Sequence, residues 1–191
     1  MMATMRTIVQ KGDPILRETA QIIPIDEIRS TKIQSLIADM KALLSKEEYG
    51  VAIAAPQVGE SLRLFVVAGK ALIEKKRKAH KPEGEPDDTD FSGLSPEDAV
   101  YINPELVKMS RGKTGKHEGC LSVRGKWGIV PRAEKASVRA YNEKGERFTR
   151  GASGFLAHIF QHELDHLEGV LYIDKATELY DEEKDVNGAP A

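Results

Sequence analysis

His162-Glu163-Leu164-Asp165-His166 is the segment whose residue types and spacing point most directly to chemistry. On an α-helix, positions four apart lie on one face about one turn apart, so the imidazoles of His162 and His166 can reach one metal ion. Glu163 then projects beside that ion, where it can take a proton from metal-bound water and act as general acid/base. A polar helix with solvated histidines is the plainer alternative. It is disfavoured because the surrounding residues are apolar, namely Phe155, Leu156, Ile159, Phe160 and Leu167. Buried imidazoles and a buried carboxyl need partners, and a metal satisfies all three.

A catalytic metal site wants three protein ligands and an open position. Three side chains compete for the third place. His158 shares the face of His162, but it stands eight residues from His166, about 12 Å along the axis, so one straight helix cannot bring all three rings to one ion. His117 is possible but lacks supporting context. Cys120 sits in Glu118-Gly119-Cys120-Leu121-Ser122, where Gly119 allows close backbone approach and a thiolate offers a strong soft ligand. A free cysteine by itself reads as a small buried hydrophobe; beside the helix motif the balance turns to ligation. Glu118 and Asp165 read equally as outer support for the ligands or as ion-pair partners of an arginine such as Arg132 or Arg150.

These residues need elements to position them. Ser153 offers an N-cap for the histidine helix, whose Phe155, Ile159 and His162 share a face, and Gly169 supplies its stop. Ile33, Leu36, Ile37, Met40 and Leu44 follow helical spacing, so an amphipathic helix is expected over roughly Asp26 to Ser45. Asp13-Pro14 predicts a short helical turn. Leu62 to Val67 reads as a buried strand. Further short strands are expected at Tyr101-Ile102, Gly128 to Val130, Ala136 to Ala140, near Phe148, and at Leu171-Tyr172-Ile173, with a turn at Asn142 to Gly145. Strands followed by one buried helix give an α+β class, with short antiparallel strands packed around a central metal-binding helix.

The chain has 191 residues, one cysteine and a formal net charge of −2. That length suggests a single domain, here residues 1–180, able to bury a core without staples. A lone thiol forms no internal disulfide, and the balanced charge gives no strong pull toward DNA or a membrane surface. Met1 to Gln10 holds no apolar run of signal-peptide length and no stretch approaches a membrane span, so the expected address is cytoplasmic. Residues 70–98 combine a basic run, Lys75-Lys76-Arg77-Lys78, with an acidic, Pro/Gly-containing stretch, and read as a mobile insertion. The basic run reads first as a solvated loop and second as a phosphate or ribosomal RNA contact. Residues 181–191 read as a disordered tail.

Three segments together resemble the peptide deformylase family. Gly50-Val51-Ala52-Ile53-Ala54-Ala55-Pro56-Gln57 is similar to its glycine-rich first motif, departing at Ala52 (usually Gly) and Ile53 (usually Leu). Glu118 to Ser122 matches its second motif, and Gln161 to His166 its third, in family order. The resemblance implies hydrolysis of the formyl group from the N-terminal formylmethionine of nascent polypeptides, by attack of metal-bound hydroxide. It implies Cys120, His162 and His166 as ligands of one Fe2+, for which Zn2+, Ni2+ or Co2+ can substitute. It also implies the Gln57 amide and the Leu121 backbone N–H as donors to the developing oxyanion. The substrate is expected to lie extended along Gly50, Val51 and Ala52, near Gly119, and the ribosome is a plausible neighbour. A His-Glu-x-x-His zinc endopeptidase, tolerant of losing Cys120, is one alternative; a non-catalytic deformylase-like binding protein is another.

Overall fold

The computed structural model describes residues 6–69, 71 and 97–182. Of the predicted insertion, only Ala71, Glu97 and Asp98 fall among them; the rest of that expectation, like residues 183–191, lies outside the described residues. The Gly69 N–H donates to Asp98 Oδ1 at 3.0 Å, so the two ends of that segment meet.

Ten elements carry the fold: α1 (Thr31–Leu44), β1 (Ala52–Ala54), β2 (Leu64–Val67), β3 (Ala99–Met109), β4 (Lys113–Cys120), β5 (Val123–Ala133), β6 (Lys135–Tyr141), β7 (Arg147–Ser153), α2 (Gly154–Leu167) and β8 (Glu178–Asp181). Five strands form an antiparallel sheet in the order β1-β2-β3-β6-β7, and three form a second in the order β4-β5-β8. The α+β expectation holds: α2 packs against β1, β5, β6 and β7, between the two sheets.

Side-chain alternation explains why β2 is an unbroken apolar run. Leu64 and Val66 join Ile53, Val100 and Ile102 under α1, whose Ile33, Leu36, Ile37, Met40 and Leu44 are all buried there. Phe65 and Val67 point the other way and meet Leu156, Ile159, Phe160 and Leu164 of α2. Successive strand residues face opposite sides, so a strand covered by a helix on each face must be apolar throughout. The Phe65 ring stacks on Tyr101 with centroids 4.6 Å apart, and Phe160 meets Tyr101 edge-on at 5.2 Å.

Local signals set the helix ends. Ser30 accepts from the Ile33 N–H and begins α1, while residues 25–27 form a separate 3-10 turn, so the helix starts later than Asp26. Asp13 accepts from the Ile15 N–H at the start of the 3-10 turn Pro14–Arg17. α2 stops at Gly169, which adopts φ +71; a Cβ there would also lie 2.5 Å from the Arg17 carbonyl oxygen. Both conditions require glycine.

Two expectations are corrected. Leu171-Tyr172-Ile173 is not a strand: Tyr172–Asp174 is a 3-10 turn, held by Asp174, whose Oδ2 accepts from the Leu171 N–H at 2.8 Å. An aspartate that satisfies a nearby backbone donor stabilises a turn in place of a ladder. The last strand comes later, as β8, and it extends to Asp181, one residue into the predicted tail. No helix among the described residues is long and apolar enough to cross a membrane.

Candidate metal centre and active-site cleft

α2 carries the histidines on an interior face. Gln161 fixes the helix to β5: its Oε1 accepts from the Ala133 N–H and its Nε2 donates to the Ala133 carbonyl, both at 2.9 Å. Cys120 arrives from the end of β4. The β4–β5 register pairs Glu118 with Gly128 but Cys120 with Val123, an irregularity between residues 118 and 120. Such a break re-aims side chains locally, and here Glu118 and Cys120 both turn toward α2. Gly119, between them, lies under the Trp127 indole; a Cβ at Gly119 would sit 3.3 Å from three of its ring carbons.

The ligand atoms of Cys120, His162 and His166 all lie within 4.8 Å of one another. Cys120 Sγ is 3.2 Å from His166 Nε2. A thiolate and two imidazoles at such spacing suit one borderline-soft divalent ion. His158 and His117 are not in the cluster. The His117 ring instead meets the Tyr180 hydroxyl at 2.5 Å.

Charge is organised around Glu118. Its Oε1 accepts from Arg132 Nε at 2.5 Å and from His158 Nε2 at 2.8 Å. Its Oε2 accepts from Arg132 Nη2 at 3.0 Å and from His162 Nδ1 at 2.7 Å. Arg132 Nη1 also donates to Asp165 Oδ2 at 2.7 Å, and Lys175 Nζ to Asp165 Oδ1 at 2.6 Å. Glu118 thus holds the His162 ring and pairs with Arg132 at the same time, and Asp165 extends the network. Arg150 is not part of it.

The titration directions follow. Burial alone would raise the Glu118 carboxyl, but the bonds from His158, His162 and Arg132 hold it well below the usual carboxylate range. Burial likewise opposes ionisation of Cys120, yet His166 and His162 outweigh it and bring the thiol to about 5. His162 is lowered by burial and raised more strongly by Cys120 and Glu118, ending well above its ordinary value. Glu163 goes the other way. Burial pushes it up to about 7, against the partial pull of His162 and His166. Its Oε2 is buried with no hydrogen-bond partner among the described residues, as is His166 Nδ1. An orphaned buried carboxylate oxygen is costly, about 1–3 kcal/mol or more, and is expected where a reacting group will use it.

Gln57 is oriented without ambiguity. It lies in the 3-10 turn Ala55–Val58, and its Oε1 accepts from the Ala54 N–H at 2.8 Å. Only oxygen can accept there, so Nε2 must face the cluster, 3.4 Å from Cys120 Sγ and 3.2 Å from Ser122 Oγ. Ser122, fully buried, was not singled out in the sequence; its place within the matched Glu118–Ser122 segment was the available signal.

A cleft of about 620 Å³ opens over the cluster. Gly50, Val51, Ala52 and Gln57 line one side, and Gly119, Cys120 and Leu121 another, with Glu163 and His162 at the α2 wall. Every residue assigned a site role from the sequence thus borders the cleft, except His166, which sits behind it among the cluster atoms. β1 begins at Ala52, so Gly50 and Val51 precede the strand rather than belonging to it. Ala52 is extended and buried; among the described non-glycine residues only Asn103 has positive φ.

Comparisons with known proteins agree with this geometry. The family model for polypeptide deformylase matches residues 5–182. Peptide deformylase 2 of Nostoc sp. is 40% identical over 168 residues, covering 88% of this chain and 84% of its own. A peptide deformylase from Legionella pneumophila superposes with a TM-score of 0.71 at 34% identity, covering 91% of this chain and 87% of that one. A Met-Ala-Ser-bound peptide deformylase from Acinetobacter baumannii gives 0.72 at 31%, covering 91% and 99%. A match across nearly the whole described chain, on the segments that build the cysteine–histidine cluster, places this chain in the polypeptide deformylase family.

Proposed function

We propose that this protein is a metallohydrolase that removes the formyl group from the N-terminal formylmethionine of nascent polypeptides. One observation carries the reading: an unpartnered, buried Glu163 oxygen beside a cysteine and two histidines poised to share one ion, at the bottom of a peptide-sized cleft. Cys120, His162 and His166 would hold the ion. Fe2+ is the proposed native metal, with Zn2+, Ni2+ or Co2+ as substitutes, since thiolate and imidazole donors suit all four. A divalent ion bound there would lower the pKa of water and polarise the formyl carbonyl.

The remaining steps belong to the chain. Glu163, with its pKa near 7, can accept the proton of the attacking water and pass it to the departing amine. Gln57 Nε2 and the Leu121 N–H flank Cys120 and can donate to the carbonyl oxygen as charge builds on it. Ala54 already holds Gln57 in place, so no reorientation is needed in the reaction. β1 is the edge strand of its sheet, and an extended peptide can run beside Gly50, Val51 and Ala52, with Gly119 opposite. The Met-Ala-Ser ligand of the Acinetobacter baumannii relative begins with methionine, as a deformylated product would. Residues 1–180 would act as one catalytic domain, in the cytoplasm and within reach of the ribosome.

The test is anaerobic purification, metal analysis and a formate-release assay on a formyl-Met peptide. Formate release that needs both the metal and Cys120 is the expected result. Cleavage of internal peptide bonds that survives Cys120→Ala would instead identify a zinc endopeptidase.

A further inference from the structure

His158 has no place in the ligand cluster, yet it is a buried histidine bonded to Glu118. A carboxylate accepts only, so the ring must present Nε2–H to Oε1. Glu118 offers about four acceptor positions, and Arg132, His158 and His162 fill them with two bonds on each oxygen. The contribution of each donor differs. Arg132 belongs to β5 and is shared with Asp165, which is in turn shared with Lys175. That fork can follow movement at the exposed Lys175 end. His158 and His162, in contrast, stand one turn apart on α2 and grip opposite oxygens of the same carboxylate.

We propose that His158 is a positioning residue of the metal centre: by holding Oε1 from α2, it fixes the rotation of the Glu118 carboxylate and hence the ring orientation of His162. Two attachment points on one rigid helix define the carboxylate relative to His162 without reference to β5. Glu118 then keeps His162 in the Nδ1–H form, with Nε2 turned to the ion. This rests on the ligand assignment proposed above.

Cobalt-loaded wild type, His158→Leu and His158→Gln are compared for the rate of cobalt loss to excess EDTA and for the visible cobalt spectrum. Leucine fills similar space but donates nothing; glutamine presents an amide Nε2–H at a similar reach. Partners that support a ligand from behind typically alter metal affinity about 10–100-fold, so His158→Leu should lose cobalt roughly tenfold faster with a shifted spectrum, and His158→Gln should stay within about threefold with no shift. Equal rates in wild type and His158→Leu would overturn the proposal, as would His158→Gln matching His158→Leu, since the ring would then only fill space. If His158→Leu does not fold, His158→Asn takes its place: its shorter amide cannot reach Oε1, and cobalt loss as slow as in His158→Gln would refute the bond's role. A wild type that takes up no cobalt would refute the ligand assignment, and this proposal with it; uptake with indifferent variants refutes this proposal alone.

Discussion

α1 and α2 are each 14 residues long and cover opposite faces of the same sheet, but they bury different things. All five buried residues of α1 are apolar. α2 buries His158, Gln161, Glu163 and His166 among its apolar residues. α1 is held by area removed from water, which needs no directional partner. α2 must match each polar atom to a donor, an acceptor or a ligand, because an unmatched one is costly. Gln161 and His158 are matched within the chain. Glu163 Oε2 and His166 Nδ1 are not. The groups able to react thus lie where burial and polarity coincide and pairing stays incomplete.

The sharpest break of the α2 side is Glu118→Ala. It leaves Arg132 buried with half its partners gone and His162 unsupported. Breaking one side of a buried pair costs about 3–5 kcal/mol. Denaturant unfolding should show that loss, and metal analysis should show faster metal release. A loss under about 1 kcal/mol would mean that the network is not a structural unit.

Leu36→Ala makes the matching cut in α1. A buried leucine truncated to alanine costs about 2–5 kcal/mol. Metal per folded molecule and formate release should stay at wild-type levels, because Leu36 sits in the core under α1, a cluster that contains none of Cys120, His162, Glu163 and His166. Lost metal would show that the two helices are not separable in this way.

The contrast was partly legible in the sequence. The period of Ile33, Leu36, Ile37, Met40 and Leu44 specified the buried face of α1 directly, since amphipathic spacing is a local property. His162, Glu163 and His166 were legible for the same reason. Cys120 needed a motif as well as a residue type. The bond between His158 and Glu118 joins residues 40 apart, through an irregular β4–β5 register, and no local pattern encodes it. Ser122 was hidden because a serine following a ligand resembles any turn serine. The turn at Tyr172 misread as a strand because Leu171, Tyr172 and Ile173 have strand composition, whereas Asp174 decides the conformation.

A smaller effect separates the polar residues within α2. Glu163 has a folded pKa of about 7, raised by burial from an ordinary 4.5. With a raised carboxyl, the folded state keeps its proton while the unfolded chain ionises, so stability is lost as pH rises from about 4.5 to 7 and is flat on either side. In chelator-treated protein, wild type should therefore lose roughly 3 kcal/mol relative to Glu163→Gln across that window, at about 1.4 kcal/mol per pKa unit. Parallel pH–stability curves for the two proteins would contradict the burial of an unpaired carboxyl.

Ala52→Gly should have the smallest effect. Ala52 is extended in β1, so glycine relieves no backbone strain there. Beside the proposed substrate path the methyl should only trim space, and the change in kcat/KM should be about 1 kcal/mol or less, mainly in KM or side-chain preference. Stability should fall by a few tenths to about 1 kcal/mol. A hundredfold rise in kcat would show that Ala52 cripples the site.

In the proposed reaction Glu163 moves protons and does not hold the metal. Purified Glu163→Ala is to be assayed for metal content and for formate release from a formyl-Met peptide. Near-stoichiometric metal is expected, with formate release down by about a hundredfold or more, the range typical of a lost general base. Retention of more than about a tenth of the wild-type rate, or loss of the metal, would contradict that role.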